Sequence, residues 1–390
     1  MRLKVVPEDF LVEEQVRFPS GGGPYTLYRV RKREVTTLEV QAQLARMLRL
    51  PLSAVSFPAL KDRDAVAVQY ATVRGPGPDR LSGPGFTAER MGRIPRPLTP
   101  SDLVGNRFGV TVRDLTPSEA DRLGSRLIAA AEGGIPNYFD AQRFGSRTES
   151  GDFPGRRILR RDAEGALRAV LAEPLIGDPA EVRAFKREAA IRWGQWRTLL
   201  EMAPRPSNLR SVLTFLCDHP TDFRRALNLV TPRVLSLYLA AYQSFLWNRI
   251  SAGYLQARLG APSGFVEVAG ETLPLFFALS NRLPVDVPIP LPYHRAVYGD
   301  PLLRKAVEDV LRAEGLALSD LKPRILRRAY LPRGERPLVL RPADVSASPP
   351  APDERFPGRQ KLTLTFTLPP GSYATLVVRS LLAAGEEYPQ

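Results

Sequence analysis

The chain has 390 residues, 44% of them hydrophobic, which suits two domains with real cores and excludes a disordered chain. Basic residues outnumber acidic ones by 55 to 41, a net +14, which points to a polyanionic partner, most often nucleic acid. No apolar run approaches the roughly 20 residues that span a bilayer, and Met1-Arg2-Leu3-Lys4-Val5-Val6-Pro7 lacks the apolar core of a signal peptide, so a cytoplasmic protein with no membrane partner is expected.

Residues 2–14 alternate as a strand interrupted at Pro7-Glu8-Asp9, and Tyr25–Val30 reads as a second strand after a Pro-Ser-Gly turn. Thr36 and Glu39 form a capping box that opens a helix. Val40, Leu44, Met47 and Leu48 make its apolar face, and Pro51 ends it. The spacing predicts a strand over Ala65–Val73, with Val66, Val68 and Tyr70 on one face. Residues 86–105 are rich in Arg and Pro. Asn106–Arg113 reads as a strand, and Thr116-Pro117-Ser118-Glu119 opens a helix that Gly133-Gly134 stops. Residues 135–145 form an aromatic and polar cluster with little periodicity. Residues 156–256 are mostly helical patterns, the best being Val234–Leu259 with Leu237, Ala241, Phe245 and Ile250 on a face. Short β segments are expected over 264–292 and a helix over 301–314. Strands return at Leu338–Leu340 and Leu362–Leu368, and a last helix is expected over Tyr373–Ala384. Both ends are thus α+β and the middle mostly α, the pattern of a discontinuous domain with an insertion.

The scarce residues narrow the chemistry. One cysteine, Cys217, excludes a disulfide and a thiolate metal cluster. Two histidines, His219 and His294, are too few for the usual catalytic zinc site without carboxylates. His219, two residues after Cys217 and just before Pro220, reads as a turn. Only seven of the basic residues are Lys. The Arg excess suits phosphate forks and base stacking, and a GC-rich genome gives the same bias. Few Met and 38 Pro also fit a heat-adapted source. Catalysis is therefore expected from Asp, Glu, Lys, Arg, Tyr, Ser or Thr.

One stretch stands out, Val55-Ser56-Phe57-Pro58-Ala59-Leu60-Lys61-Asp62-Arg63-Asp64-Ala65-Val66. An apolar run stops at a cation and a carboxylate, a second carboxylate follows two residues later, and a strand begins. Charged pairs at such breaks are where active sites often sit. By residue type alone the stretch also suits a charged turn in which Asp62 pairs with Lys61 or Arg63.

Four stretches together resemble the TruD family of tRNA pseudouridine synthases. They are Lys4-Val5-Val6-Pro7-Glu8-Asp9-Phe10-Leu11-Val12-Glu13-Glu14; Leu60-Lys61-Asp62-Arg63-Asp64-Ala65-Val66 followed by Gln69; Gly105-Asn106-Arg107-Phe108 leading into Pro136-Asn137-Tyr138-Phe139 and Gln142-Arg143-Phe144-Gly145; and Leu368-Pro369-Pro370-Gly371-Ser372-Tyr373-Ala374-Thr375 with Val378-Arg379. They occur in the family's order and cover both ends of the chain, while residues 157–330 match only loosely.

The resemblance implies an α+β pseudouridine synthase fold, a mixed and mostly antiparallel sheet flanked by helices. It places the catalytic domain at 1–156 and 331–390, and an inserted, mostly helical TRUD domain at 157–330. It implies isomerisation of uridine in tRNA, at position thirteen. The bond from C1′ to N1 breaks, the base turns, and C1′ bonds to C5. No redox change occurs, so no metal and no nucleotide cofactor are expected, and the chain has no Walker loop or dinucleotide fingerprint. A monomer with tRNA as its partner is expected.

Asp62 matches the family's catalytic aspartate, which attacks sugar or base or takes up a proton. Lys4 and Lys61 are the candidate cations that keep it ionised. The sequence departs from the family at Asp64, where many relatives carry histidine, so a second carboxylate stands two residues from the first. Asp62 is preferred because it directly follows Lys61, and Asp64 reads as exposed or paired with Arg. Phe10, Asn137, Phe139 and Tyr373 are expected to frame the base, with stacking faces and an amide edge. Tyr373 stands where relatives often have Phe. Phe10 and Phe139 also suit ordinary core packing. Gln142, Arg143 and Arg379 are candidates for phosphate or supporting contacts. Arg90, Arg93, Arg96, Arg156, Arg157, Arg160 and Arg161 are expected to line an RNA cleft or to form a solvated surface. The rival readings are a catalytically silent RNA-binding or RNA-chaperone protein and a pseudouridine synthase for another RNA. A methyltransferase is disfavoured, since no Gly-rich cofactor loop follows an early strand.

Overall fold

The computed structural model describes residues 1–205, 209–277, 279, 283 and 288–383. The chain divides into two compact units. The first gathers Met1–Ile135, Phe277 and Leu279, and Leu340–Leu382, the second Pro136–Phe276 and the described residues from Leu283 to Val339. The chain leaves the first unit at 135/136, rejoins it briefly at Phe277, and returns for its last segment at 339/340, whereas the sequence suggested one insertion over 157–330. Residues 136–156 go with the helical unit because their side chains pack there. The Tyr138 hydroxyl donates to the Pro274 carbonyl at 2.9 Å, and Phe153 packs on Tyr242 and Phe245.

The first unit is built on a ten-stranded sheet. In chain order its strands are β1 (Phe10–Val16), β2 (Tyr25–Arg33), β3 (Val55–Ser56), β4 (Val66–Arg74), β5 (Arg80–Gly83), β6 (Phe86–Ile94), β7 (Leu103–Leu115), β8 (Ala343–Ala347), β9 (Ala351–Pro352) and β10 (Gln360–Leu368). The spatial order is β8-β10-β7-β1-β4-β2-β6-β5, with β9 paired to β10 and β3 to β4. Only β1 and β4 run parallel, Leu11 opposite Val66 and Glu13 opposite Val68, and the other pairs are antiparallel. The mixed, mostly antiparallel sheet expected from the sequence is present. The Arg-rich stretch after residue 86, which shows no apolar alternation, nevertheless continues the sheet as β6.

Helix α1 (Thr37–Met47) starts at a capping box: Glu39 N–H donates to Thr36 Oγ1 at 3.2 Å and Thr36 N–H to Glu39 Oε2 at 2.7 Å. Thr116 and Glu119 repeat the device at the start of α2 (Pro117–Gly133). Two apolar clusters form on one face of the sheet. One joins Val12, Ala67, Phe108, Val110, Leu364 and Phe366 to Leu123 and Leu127 of α2 and to Val377 and Val378 of the C-terminal helix Ala374–Ala383. The other joins Tyr28, Val30, Ala71 and Val73 to Val40 and Leu44 of α1. Met47, expected on that apolar face, is exposed, because Leu48 and Leu50 beyond the helix end take the contact instead.

The second unit is organised on the helix Pro232–Leu259, packed by the helices Pro154–Leu159 and Pro301–Ala313 and by the hairpin Gly264–Val268 with Glu271–Leu275. Leu237, expected on the buried face, is exposed, while Leu239, Tyr242, Leu246 and Ile250 are buried. A helix covered on most sides shows no clean apolar stripe, so its inner face could not be fixed by period alone. The β segments expected over 264–292 appear as this hairpin and as Pro288–Pro290, and the stretch between them lies partly outside the described residues. Among the described residues no helix is long and apolar enough to cross a membrane.

Candidate active site

Along β4, one face reads Ala67, Gln69, Ala71: the first belongs to one apolar cluster, the last to the other. Gln69, fully buried, and Glu14, at the end of the Phe10, Val12, Glu14 face of β1, form a polar seam between them. Gln69 Nε2 donates to Glu14 Oε1 at 3.2 Å and to the Ala59 carbonyl at 2.9 Å. Its Oε1 accepts from Thr37 Oγ1 at 2.8 Å, and Tyr70 N–H donates to Glu14 Oε2 at 3.2 Å. Buried polar groups must be satisfied, and here satisfying them fixes the loop before β4.

Lys61 enters this seam. Its Nζ lies 3.2 Å from Glu14 Oε1 and donates to Asn106 Oδ1 at 2.6 Å, and its backbone N–H donates to Thr37 Oγ1 at 3.0 Å. Lys4 meets the Asp62 carboxylate, its Nζ donating to Asp62 Oδ2 at 3.0 Å. Lys4 also lies 4.3 Å from the centroid of the Phe10 ring, a cation–π contact. Phe10 is 6% exposed and packs edge-on against Phe108, so its ring is both core and floor for Lys4.

Lys4 has φ +55, a left-handed conformation that an L side chain adopts at a cost of about 1–2 kcal/mol. The flanking structure holds it there. Arg2 and Arg113 exchange backbone hydrogen bonds of 2.8 and 3.0 Å, and the turn Pro7–Asp9 is closed by Val6 N–H donating to Asp9 Oδ2 at 3.1 Å.

Asp62 is half-buried, its side chain 35% exposed, whereas Arg63 and Asp64 are exposed. Arg63 Nε donates to the Glu34 carbonyl at 3.2 Å. The backbone from 61 to 65 is irregular, so Asp62 and Asp64 do not share a strand face.

Tyr373 stands half-buried immediately before the helix Ala374–Ala383, where its carbonyl accepts from Val377 N–H at 3.1 Å. Arg379 lies on that helix and is half-buried.

The other predicted residues belong to the second unit. Asn137 is buried, its Nδ2 donating to the Pro337 carbonyl at 3.0 Å. Arg336, also buried, donates through Nη2 to Asn137 Oδ1 and through Nε to the Asn137 carbonyl, both at 2.7 Å. The same guanidinium stacks 4.1 Å from the centroid of the Phe139 ring. Phe139 meets Trp247 edge-on, and Asn248 brackets its backbone with two hydrogen bonds of 2.8 Å. Gln142 and Arg143 lie on the turn Ala141–Phe144. Gln142 is exposed, and Arg143 Nε donates to Ser244 Oγ at 3.0 Å.

The seven arginines considered for RNA are engaged within their own units. Arg90 pairs with Asp79, Arg93 donates to the Gly23 carbonyl, and Arg96 forks onto Asp102 at 2.6 and 2.7 Å. Arg156 pairs with Glu314, Arg157 with Asp152 and Glu173, Arg161 with Asp320, and Arg160 donates to the Glu314 carbonyl.

Sequence reasoning missed Arg336, Lys32 and the pairing of Glu14 with Lys61. Glu14 did carry a signal, a carboxylate at an inward position of an alternating strand. So did Lys32, inward like Tyr28 and Val30 once β2 is extended to Arg33. Arg336, in Arg333-Gly334-Glu335-Arg336-Pro337, carried none.

The family model described as tRNA pseudouridine synthase D (TruD) matches residues 1–381. The tRNA pseudouridine synthase D of Geobacter sulfurreducens is 30% identical over 97% of this chain and 93% of its own length. The tRNA pseudouridine synthase D of Aquifex aeolicus is 27% identical over 98% of both chains. A solved TruD structure from Methanosarcina mazei superposes with a TM-score of 0.73 at 23% identity, covering 97% of this chain and 93% of that one, and shows the same fold. On the family match across nearly the whole chain, this protein belongs to the TruD family of tRNA pseudouridine synthases.

Proposed function

We propose that this chain, a tRNA pseudouridine synthase by family, isomerises uridine at position thirteen of tRNA with Asp62 as nucleophile and without metal or nucleotide cofactor. The observation that carries the reading is the Lys4–Asp62 pair, 3.0 Å long and formed across 58 positions of sequence. The pair sets an ammonium beside the carboxylate that would make the nucleophilic attack. The half-exposure of Asp62 leaves it reachable by a substrate. Breaking C1′–N1 and forming C1′–C5 moves one hydrogen from C5 to N1, so the reaction balances with no added reactant.

Lys61 serves differently. Its charge is matched by Glu14, so it fixes the loop and leaves Lys4 as the cation on the nucleophile. Asn137 and Phe139 are the base-binding candidates of the second unit, which corresponds to the family's inserted domain. Arg336 holds both, so their shape is set before substrate arrives. The chain acts as a monomer in this reading.

The test is to incubate an unmodified tRNA transcript with the protein and map pseudouridine along it. Pseudouridine at position thirteen supports the reading. Binding without any isomerisation would favour a silent RNA-binding protein, and modification elsewhere would reassign the substrate position.

A further inference from the structure

Lys32 is 1% exposed, the last inward residue of β2. A buried ammonium is costly unless every donor is used. Its Nζ donates to the Val35 carbonyl at 2.9 Å and to the Asp62 carbonyl. Val35 precedes α1, and Asp62 lies in the loop before β4, so one ammonium joins two segments. Thr37 adds a second tie at the adjacent residue, accepting from Lys61 N–H. Asp62 is thus held twice by lysine, at its carboxylate by Lys4 and at its main chain by Lys32.

We propose that Lys32 is a positioning residue for the isomerisation, holding the nucleophile's main chain through the Asp62 carbonyl and holding it best while protonated. This rests on the reading of Asp62 as nucleophile. Charge-assisted hydrogen bonds are roughly twice as strong as neutral ones, so loss of the proton weakens the clamp while leaving the two N–H donors that the Val35 and Asp62 carbonyls need. Burial pushes the Lys32 ammonium down to about 8 from its ordinary 10.5. Asp62 and Asp64 from the loop and Glu39 from α1 oppose that fall, and Lys61 adds to it. The clamp therefore weakens as the pH rises through about 8. The contribution of Lys32 to stability runs the other way. Its buried charge is penalised fully below about pH 8, and the penalty is relieved between there and 10.5, where the unfolded chain still holds the proton. A loss of activity over that range would not reflect unfolding caused by Lys32.

The experiment is single-turnover pseudouridine formation on an unmodified tRNA transcript from about pH 6.5 to 9.5, with tRNA affinity measured in parallel. Wild type, Lys32→Arg, Lys32→Met and Asp62→Ala are compared, and the lysine side chains of carbon-13-labelled wild type are titrated by NMR. The wild-type rate is expected to fall roughly threefold to tenfold through a step that coincides with the titration of Lys32, identified as the resonance missing from Lys32→Met. Lys32→Arg removes that step, and Lys32→Met lowers the rate at least tenfold with tRNA affinity within about twofold. A Lys32→Met variant at the wild-type rate overturns the proposal. So does a step displaced from the Lys32 titration, or a wild-type rate flat across the range, a readout that stands even if neither variant folds. An active Asp62→Ala removes the underlying reading, whereas an inactive Asp62→Ala with unaffected Lys32 variants overturns the role of Lys32 alone.

Discussion

Lys4 and Asp62, 58 positions apart in sequence, meet at 3.0 Å, while Lys61, the neighbour of Asp62, pairs with the buried Glu14 at 3.2 Å. The two lysines therefore have separate partners, and in the proposed mechanism separate tasks, one electrostatic at Asp62 and one architectural beneath the loop. That division yields distinguishable outcomes.

Replacing Lys4 with Met keeps most of the apolar stem over Phe10 and removes the charge. A charge-assisted hydrogen bond is worth about 1.5–3 kcal/mol, so the single-turnover rate is expected to fall about tenfold to a hundredfold. Stability should change little, because the pair is partly exposed and such pairs contribute about 0–1 kcal/mol. Rate measurements beside urea unfolding check both statements.

Glu14→Ala should act chiefly on the fold. It leaves Lys61, whose side chain is 11% exposed, without its carboxylate, and it also takes one of two acceptors from Gln69 Nε2 and the side-chain acceptor from Tyr70 N–H. Removing one partner of a buried pair costs about 3–5 kcal/mol. The expected result is a marked fall in the urea midpoint. A midpoint unchanged from wild type would show that the seam is not what fixes the loop.

Acid should loosen the segment that presents Lys4. Arg113 binds Asp9 at 2.9 Å and Asp353 at 2.9 Å, with all three side chains buried. Burial alone would raise the Asp353 carboxyl, but the backbone N–H groups of Asp114 and Arg355 and the Arg113 guanidinium outweigh it and hold the carboxyl below its ordinary 3.8. Its stabilisation is thus complete above that value and lost as the pH falls through the lowered one. Arg113→Met leaves two buried carboxylates unpaired at neutral pH, a loss of about 3–5 kcal/mol. Protonation of Asp353 relieves part of that loss, so the stability gap between wild type and variant should narrow as the pH falls from neutral into the acid range. Urea unfolding at neutral and acid pH measures the gap.

Much of the first unit was legible because its elements carry local signals. The two capping boxes, the alternation in β7 and β10 and the break at Lys61-Asp62 all depend on residues near one another in sequence. The pairing of β1 with β4 in parallel depends on a long connection and left no local trace. The TruD resemblance named Lys4 and Asp62, yet nothing in the sequence could say that Lys61 would take Glu14 and Asn106 instead. Lys32 was overlooked because β2 was ended at Val30, where Arg31, Lys32 and Arg33 replace apolar residues. A strand whose inward position holds a lysine breaks the usual pattern, and such breaks mark functional sites more often than errors of folding. Arg336 was invisible because its partners, Asn137 and Phe139, lie about two hundred positions earlier in the sequence.

The most direct test compares Asp62→Ala and Asp62→Asn with wild type for pseudouridine formation on an unmodified tRNA transcript, with tRNA affinity measured on the same preparations. Loss of pseudouridine to background in both variants, with affinity within about tenfold of wild type, is the predicted result. Pseudouridine formed at the wild-type rate by either variant would contradict the assignment of Asp62 as the nucleophile.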